Sequence, residues 1–236
     1  MMGSCNGLLC LEAHQCLYVM NPATRECKQI AKESKDSYSE GLAFGFGFDP
    51  KTNDYKLVRV MIPLPGVTYK AEVCSLRNNS WRLIAGTDSL MEGVIVDDMW
   101  RSRAVVKNAV YWCGALKGEV DYKPIGIVRF DLVNEVFKEI IRALASLQFR
   151  ESCYYGYHCC VVKDCLSFAA MFEDDHSIEL WVMKEYGLEG SWIKLYRLGL
   201  FHVLQNPRRW LSAFKVGFNG EAVVHEDRHL LVVRPR

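Results

Sequence analysis

Short runs of alternating apolar and polar residues, separated by polar turns, recur along the whole chain. In residues 71–84 one strand pattern leads into a polar turn at 77–80, and a second strand pattern opens on Trp81. Asn and Ser favour such turns because they tolerate left-handed backbone and hydrogen-bond to their own main chain. The second strand opens at Cys27, Trp81, Phe137 and Trp192, in steps of 54, 56 and 55 residues. A fixed period of this size indicates a repeat architecture built from strands.

Each repeat resolves into four short strands, which we name a, b, c and d in chain order. Polar turns that join strands a and b align at Asn6, Asn108, Asp164 and Asn219, and a longer turn at 49–54 stands in the second repeat. The c strands are expected at 17–20, 71–75, 127–131, 178–183 and 230–233. Four strands in about 50 residues are typical of a kelch-like β-propeller blade, whereas a sandwich does not explain the period. The sequence therefore predicts an all-β propeller of about five four-stranded blades in one domain, residues 1–236.

The first and last blades are expected to be incomplete. Only residues 1–4 precede the first a–b turn, and the fifth d strand would begin near residue 247, one ~55-residue step after Trp192. A propeller protects its strand edges by closing its ring, so we expect an open or truncated ring with an edge beside the fifth blade. Residues 139–147 read equally well as a short helix or as the end of a d strand followed by a loop.

Long loops at one end of the blades are the predicted binding surface. Antiparallel order places the a–b and c–d turns on one face, the turn face, and the b–c and d–a loops on the other, the loop face. The loop-face connections are longer, and binding residues concentrate in long loops on a rigid scaffold. Trp, Tyr and Arg anchor many protein interfaces, although Trp100 and Trp210 read equally well as packing at blade edges. The candidate protein-binding residues are Tyr69, Trp100, Arg101, Arg103, Tyr122, His202, Arg208, Arg209 and Trp210.

Net charge and hydropathy argue against two classes of partner, and they indicate where the protein is located. The 236 residues carry a formal net charge of +1, and Lys and Arg are scattered along the sequence, which argues against a nucleic-acid partner. Neither a membrane-length apolar run nor a signal-peptide pattern is visible, so we expect no membrane partner and a cytoplasmic or nuclear location. The ten cysteines lie mostly in apolar strand patterns, and we expect them to be reduced and buried.

Three motifs suggest chemistry, and each has a better structural explanation. Residues 225–229, His-Glu-Asp-Arg-His, spell a zinc-peptidase pattern, but the flanking apolar runs predict a β-hairpin tip and not the helix that such a site needs. The group of Cys and His at 153–165 lacks the pair spacing of structural zinc. Gly45 and Gly47 lack a third glycine and a following helix, so we expect them to let inner strands pack closely. No catalytic residue, metal ligand or cofactor is predicted.

With these motifs in place, the chain resembles the plant F-box-associated domain, the kelch-like region that follows an F-box. The matching stretches run in family order over nearly the whole chain: 3–11, 18–25, 45–50, 54–59, 80–82, 109–112, 128–132, 180–187 and 191–192. The resemblance implies a protein-interaction module that recruits a target protein to a cullin-based ubiquitin ligase and catalyses nothing itself. It assigns no binding residues. No F-box pattern precedes Gly3, so contact with the ligase adaptor is expected only if the full-length protein carries one. The alternatives are a metalloenzyme built on a propeller and a degenerate fragment.

Overall fold

Strands make up nearly all of the regular structure. The computed structural model describes residues 3–14, 16–31, 42–61, 69–85, 94–95, 103–116, 125–142, 154–172, 177–199, 214–216, 221–226 and 229–233. Within these ranges the only helical element is one 3-10 turn at Glu189–Ser191. None of the described segments is a helix long and apolar enough to span a membrane. The all-β prediction is confirmed.

Consecutive antiparallel strands form one small sheet per repeat. Blade 1 contains β1 (Gly3–Cys5), β2 (Leu8–Ala13), β3 (Cys16–Met20) and β4 (Cys27–Gln29). Blade 2 contains β5 (Leu42–Asp49), β6 (Asp54–Met61), β7 (Lys70–Ser75) and β8 (Ser80–Ile84). A two-residue strand, β9 (Val94–Ile95), precedes blade 3, which contains β10 (Arg103–Val106), β11 (Ala109–Leu116), β12 (Ile125–Asp131) and β13 (Val136–Arg142). Blade 4 contains β14 (Tyr154–Val162), β15 (Cys165–Phe172), β16 (Ser177–Met183) and β17 (Trp192–Gly199). Blade 5 contains β18 (Phe214–Val216), β19 (Ala222–Glu226) and β20 (His229–Val233).

The order of these sheets is that of a propeller. The inner strands β1, β5, β10, β14 and β18 contact one another in chain order, and the remaining strands of each blade step outward. The predicted c and d strands are all found, and β1 is short, as expected. The ambiguous stretch that begins at Glu139 continues β13 to Arg142, and its remainder lies outside the described residues.

Tight a–b turns hold the inner strand pairs together. Two-residue hairpin loops twist correctly when both residues have positive φ, a conformation that Gly, Asn and Asp adopt at low cost. Asn6 and Gly7 have φ of 47° and 81° in blade 1, and Lys163 and Asp164 have 47° and 60° in blade 4. Asn6, Asn108 and Asp164, three of the aligned polar positions, are therefore hairpin-loop residues of the turn face, and Asn219 lies outside the described residues.

Glycines allow blade 2 to pack tightly against blade 3. A Cβ added to Gly45 would lie 2.5 Å from Cγ1 of Val110, and one added to Gly47 would lie 2.4 Å from Cδ1 of Leu132. Real Cβ atoms do not approach other heavy atoms this closely, so a side chain at either position would displace its neighbour in blade 3. The close packing of strands predicted from Gly45 and Gly47 is confirmed.

Tryptophans and a buried lysine link neighbouring blades. The indole N–H of Trp81 donates to the carbonyl of Ala31 at 3.0 Å, joining blade 2 to blade 1. The indole N–H of Trp112 donates to the carbonyl of Phe44 at 3.1 Å, joining blade 3 to blade 2. Lys56 adds an ionic link between blades 2 and 3.

The ammonium of Lys56, on a residue that is 5% exposed, lies among three oxygen acceptors at the turn face. It pairs with Asp49 Oδ2 at 2.6 Å within blade 2, and with Glu135 Oε1 at 2.7 Å in blade 3. It also donates to the carbonyl of Leu132 at 2.8 Å. A buried charge is tolerated when it is paired and hydrogen-bonded, so this cluster fixes the position of blade 3 against blade 2.

One prediction about the cysteines is wrong. Cys113 in β11 and Cys159 in β14 form a disulfide that joins blades 3 and 4, with a Cα–Cα distance of 6.0 Å. Both residues are fully buried in the core between these blades, where strand packing brings the two sulfur atoms together. The seven other cysteines among the described residues are free. Cys153, in the predicted group of Cys and His, lies outside the described residues.

Candidate protein-binding surface

Two of the nine predicted binding residues can be placed. Tyr69 immediately precedes β7 and Arg103 is the first residue of β10, so both lie at the loop-face ends of their strands. The other seven lie outside the described residues: Trp100, Arg101, Tyr122, His202, Arg208, Arg209 and Trp210. Their grouping on the loop face stays a prediction.

Tyr69 is half-buried and packs against the core between blades 2 and 3. Its neighbour Lys70 pairs with Met61, which is the last residue pair of β6 and β7 at the loop face. The Tyr69 side chain is therefore anchored by its contact with the core. Such fixed aromatic side chains bind partners at low cost in conformational entropy.

Arg103 lies where three blades approach the propeller axis. It pairs with Trp112 in β11, and its Nε would be 3.9 Å from a Cβ added to Gly3 in blade 1. The same added atom would lie 3.0 Å from Cβ of Phe46 in blade 2. Burial lowers the pKa of the Arg103 guanidinium, although arginine remains charged at neutral pH. Burial also raises the pKa of the nearby Cys10 thiol to about 11, and the positive charge of Arg103 opposes this rise. The structure thus holds a partly desolvated cation near the axis, at the loop-face end of an inner strand.

Part of the 85–102 loop is an ordered extension of blade 3. Ile95 pairs with Ala115, and Val94 pairs with Leu116, so β9 runs antiparallel to the distal end of β11. The alternating pattern did not reveal this strand because two residues are too short for a period. The pairing extends the blade 3 sheet on the loop face, beyond the first residue of β10.

A charged cluster at the outer strands of blade 4 was missed by the sequence interpretation. The Glu179 carboxylate, on a residue that is 3% exposed, accepts bonds from Lys194 Nζ at 2.8 Å, Arg197 Nη1 at 3.3 Å and Trp181 Nε1 at 3.0 Å. Arg197 Nε also donates to Ser177 Oγ at 3.0 Å. The two cations are nearly half exposed, so they present positive charge on a fixed support. Opposite charges on predicted neighbouring strands were the available signal, since Glu179 pairs directly with Arg197.

The buried thiols of Cys74 and Cys160 are poorly suited to nucleophilic chemistry. The reactive form of cysteine is the thiolate, and burial raises the pKa of Cys74 to about 11 and that of Cys160 further still. The described residues contain no group of three His, Cys, Asp or Glu side chains placed to hold a metal ion. The His-Glu-Asp-Arg-His stretch joins β19 to β20, with Glu226 paired to His229 across the hairpin. The hairpin interpretation of that motif is confirmed.

Comparisons with known proteins agree with the fold. Residues 1–234 match the family described as "F-box associated beta propeller domain". The F-box protein At3g07870 of Arabidopsis thaliana is 27% identical over 244 residues, which span 94% of this chain and 57% of that protein. The F-box/kelch-repeat protein At3g23880 of the same plant is 25% identical and covers 82% of this chain and 51% of its own length.

A third Arabidopsis thaliana relative, the F-box protein CPR1, is 30% identical over 82% of this chain and 51% of its own length. The chain thus spans about half the length of the curated relatives it matches. A crystal structure of TolB from Acinetobacter baumannii aligns with 92% of this chain and 45% of that one, at 11% identity and a TM-score of 0.47. The match over residues 1–234 and the propeller architecture lead to one conclusion: the chain belongs to the F-box associated beta propeller family.

Proposed function

We propose that this chain is the substrate-recognition module of an F-box-type adaptor for a cullin-based ubiquitin ligase. The observation that carries the proposal is the family match over residues 1–234, joined to relatives named as F-box proteins over about half of their length. An F-box elsewhere in the full-length protein would dock on the ligase adaptor. The propeller would hold the target protein in the cytoplasm or nucleus.

The loop face is the surface that we assign to the target. Arg103 supports this assignment because a partly desolvated guanidinium near the axis would bind an acidic or carbonyl-rich segment more strongly than an exposed lysine would. Tyr69 and Arg197 add an aromatic and a second cationic contact, both held by packing or hydrogen bonds. The seven predicted residues outside the described ranges are proposed to extend the same face.

We assign no reaction to the chain itself. The resemblance leaves ubiquitin transfer to other subunits of the ligase. Specificity would come from the loops, and the blades would serve as their support.

Quantitative affinity capture of the full-length protein from plant cells treated with a proteasome inhibitor tests the proposal. The variants are Arg103→Met, which removes the charge, and Arg103→Lys, which keeps it. Arg25→Asn serves as the control, because Arg25 is an exposed turn-face residue with a φ of 60° that Asn tolerates. Thermal melting of each variant confirms that it is folded.

We expect a set of proteins to be captured by the wild type and the Arg25→Asn variant, and to be depleted with Arg103→Met. Arg103→Lys should recover part of the set. Ligase subunits should remain with every variant if the F-box is intact. An unchanged set with a folded Arg103→Met variant would remove Arg103 from the binding site, and capture without any ligase subunit would contradict the adaptor function.

A further inference from the structure

The turn face carries a lysine in the a–b turn of each of three consecutive blades. Lys51, Lys107 and Lys163 lie in the a–b turns of blades 2, 3 and 4, in steps of 56 residues, and all three are exposed. Because strands a and b are the innermost in each blade, these turns surround the axis of the propeller. The period of the blades therefore gathers side chains that are far apart in the sequence, and we call them the lysine ring.

The acids of the same a–b turns leave the ring positive. Asp164 is the only exposed acid within the same described a–b turns, since Asp49 and Asp54 are buried and accept hydrogen bonds. Arg77, in the c–d turn of blade 2, adds a cation, because its guanidinium donates to the carbonyls of Thr52 and Asn53 beside Lys51. Lys184 adds another next to Lys107 and Asp164, with which it lines a shallow indentation between blades 3 and 4.

An apolar projection stands beside this indentation. Tyr186 lines it and is 42% exposed, and Leu188, two residues later, is 54% exposed. Their loop is fixed by its own hydrogen bonds, including that of Ser191 Oγ to the carbonyl of Glu185 at 2.7 Å. The Tyr186 ring rests on blade 3, 5.0 Å from the guanidinium carbon of Arg129. Exposed apolar side chains held rigidly beside polar groups are typical of protein-binding surfaces.

We propose that the turn face is a second docking surface, which binds an acidic segment of another protein through the lysine ring and an apolar side chain of that segment beside Leu188. The charge of the ring selects an acidic partner, and the apolar contact favours a protein over a nucleic acid, whose phosphates need no such contact. Two exposed acids, Glu185 and Glu189, flank Leu188 and restrict the acidic part of the partner to the side of the ring. This surface lies at the opposite end of the blades from the loop face and does not depend on what the loop face binds.

Fluorescence anisotropy with the purified chain tests the proposal. The probe is a labelled Glu-rich peptide with one central Leu, compared with the same peptide in which Ser replaces Leu. Lys107→Asn and Lys163→Asn, combined with Lys51→Asn, remove the ring. Lys107 and Lys163 have φ of 46° and 47°, which Asn adopts more easily than Lys, so the variant should fold at least as well. The matching triple Lys→Arg variant keeps the charge.

The triple Asn variant should bind the Leu peptide about tenfold more weakly, since three exposed ion pairs are lost, and the triple Arg variant should bind like the wild type. Leu188→Ser should weaken binding of the Leu peptide and leave the Ser peptide unchanged. Added salt should weaken the wild type more than the triple Asn variant. Equal binding by the folded triple Asn variant and the wild type would overturn the proposal. Tighter binding to a single-stranded oligonucleotide or to anionic phospholipid vesicles than to the peptide would also overturn it.

Discussion

Replacement of Gly45 by Ala tests the packing between blades 2 and 3. The new methyl carbon would lie 2.5 and 2.9 Å from the two γ-carbons of Val110, and 3.0 Å from Cζ2 of Trp112. Both neighbours are fully buried, and a valine side chain has little freedom to rotate away. Overpacking of this kind costs about 1–3 kcal/mol, while the loss of glycine from the unfolded chain returns about 0.4–1 kcal/mol. We expect a net loss of about 1–2 kcal/mol in the free energy of unfolding.

Urea denaturation followed by tryptophan fluorescence, together with calorimetry, measures this loss. For a chain of this length it corresponds to a decrease of about 2–8 °C in the melting temperature. Gly199→Ala is the matched control, because Gly199 is also in a strand and its added Cβ would have no neighbour within 4 Å among the described residues. That control should be neutral or slightly stabilising.

A double variant separates steric overlap from other causes. Val110→Ala removes both γ-carbons, so Gly45→Ala should cost less in that background than in the wild type, by about 1 kcal/mol. The packing explanation is wrong if the Gly45→Ala variant is as stable as the Gly199→Ala variant. It is also wrong if Gly45→Ala lowers the free energy of unfolding equally in the wild type and in the Val110→Ala background.

Three further predictions concern charge and covalent links. Lys56→Met leaves Asp49 and Glu135 without their shared cation and should destabilise the protein by about 3 kcal/mol in urea titrations, with Lys56→Arg as the control. Burial alone would raise the pKa of Asp49, but hydrogen bonds from Lys56, Thr52 and the backbone outweigh it and lower the pKa. Its contribution to stability is therefore complete above about pH 4 and is lost as the pH falls through the lowered value. Asp49→Asn should reduce the dependence of the melting temperature on pH below about pH 4. An unchanged slope of melting temperature against pH would contradict the lowered pKa of Asp49. The Cys113–Cys159 disulfide closes a loop with a sequence separation of 46, so Cys159→Ala should cost about 4 kcal/mol if chain entropy dominates. Reductant should lower the melting temperature of the wild type and leave that variant unchanged.

Local patterns predicted the blades because each strand and turn is specified by residues near it in sequence. Alternation set the faces of β3, where Leu17 and Val19 are buried, and Asn, Asp and Gly marked positions where φ is positive. The order of the strands followed from the period, since antiparallel neighbours joined by short turns have few other arrangements.

Contacts between blades were harder to foresee. The disulfide depends on how blade 3 packs against blade 4, which neither Cys113 nor Cys159 encodes locally. The lysine ring was hidden for a related reason: residues 56 positions apart look scattered in a sequence and become neighbours only when the period is folded into a circle. The loop-face candidates were chosen by residue type, and for Tyr69 and Arg103 the structure shows packing and burial that a sequence pattern does not contain.

The indole hydrogen bonds of Trp81 and Trp112 have a spectroscopic consequence. Each bond joins one blade to the backbone of the blade before it. Each indole proton is therefore protected from exchange with solvent only while those two blades stay packed together. Deuterium uptake at the two nitrogens, followed by NMR in the native state, would time the parting of blade 2 from blade 1 and of blade 3 from blade 2 separately. The two exchange rates together would show whether the blades separate one pair at a time or all in one step.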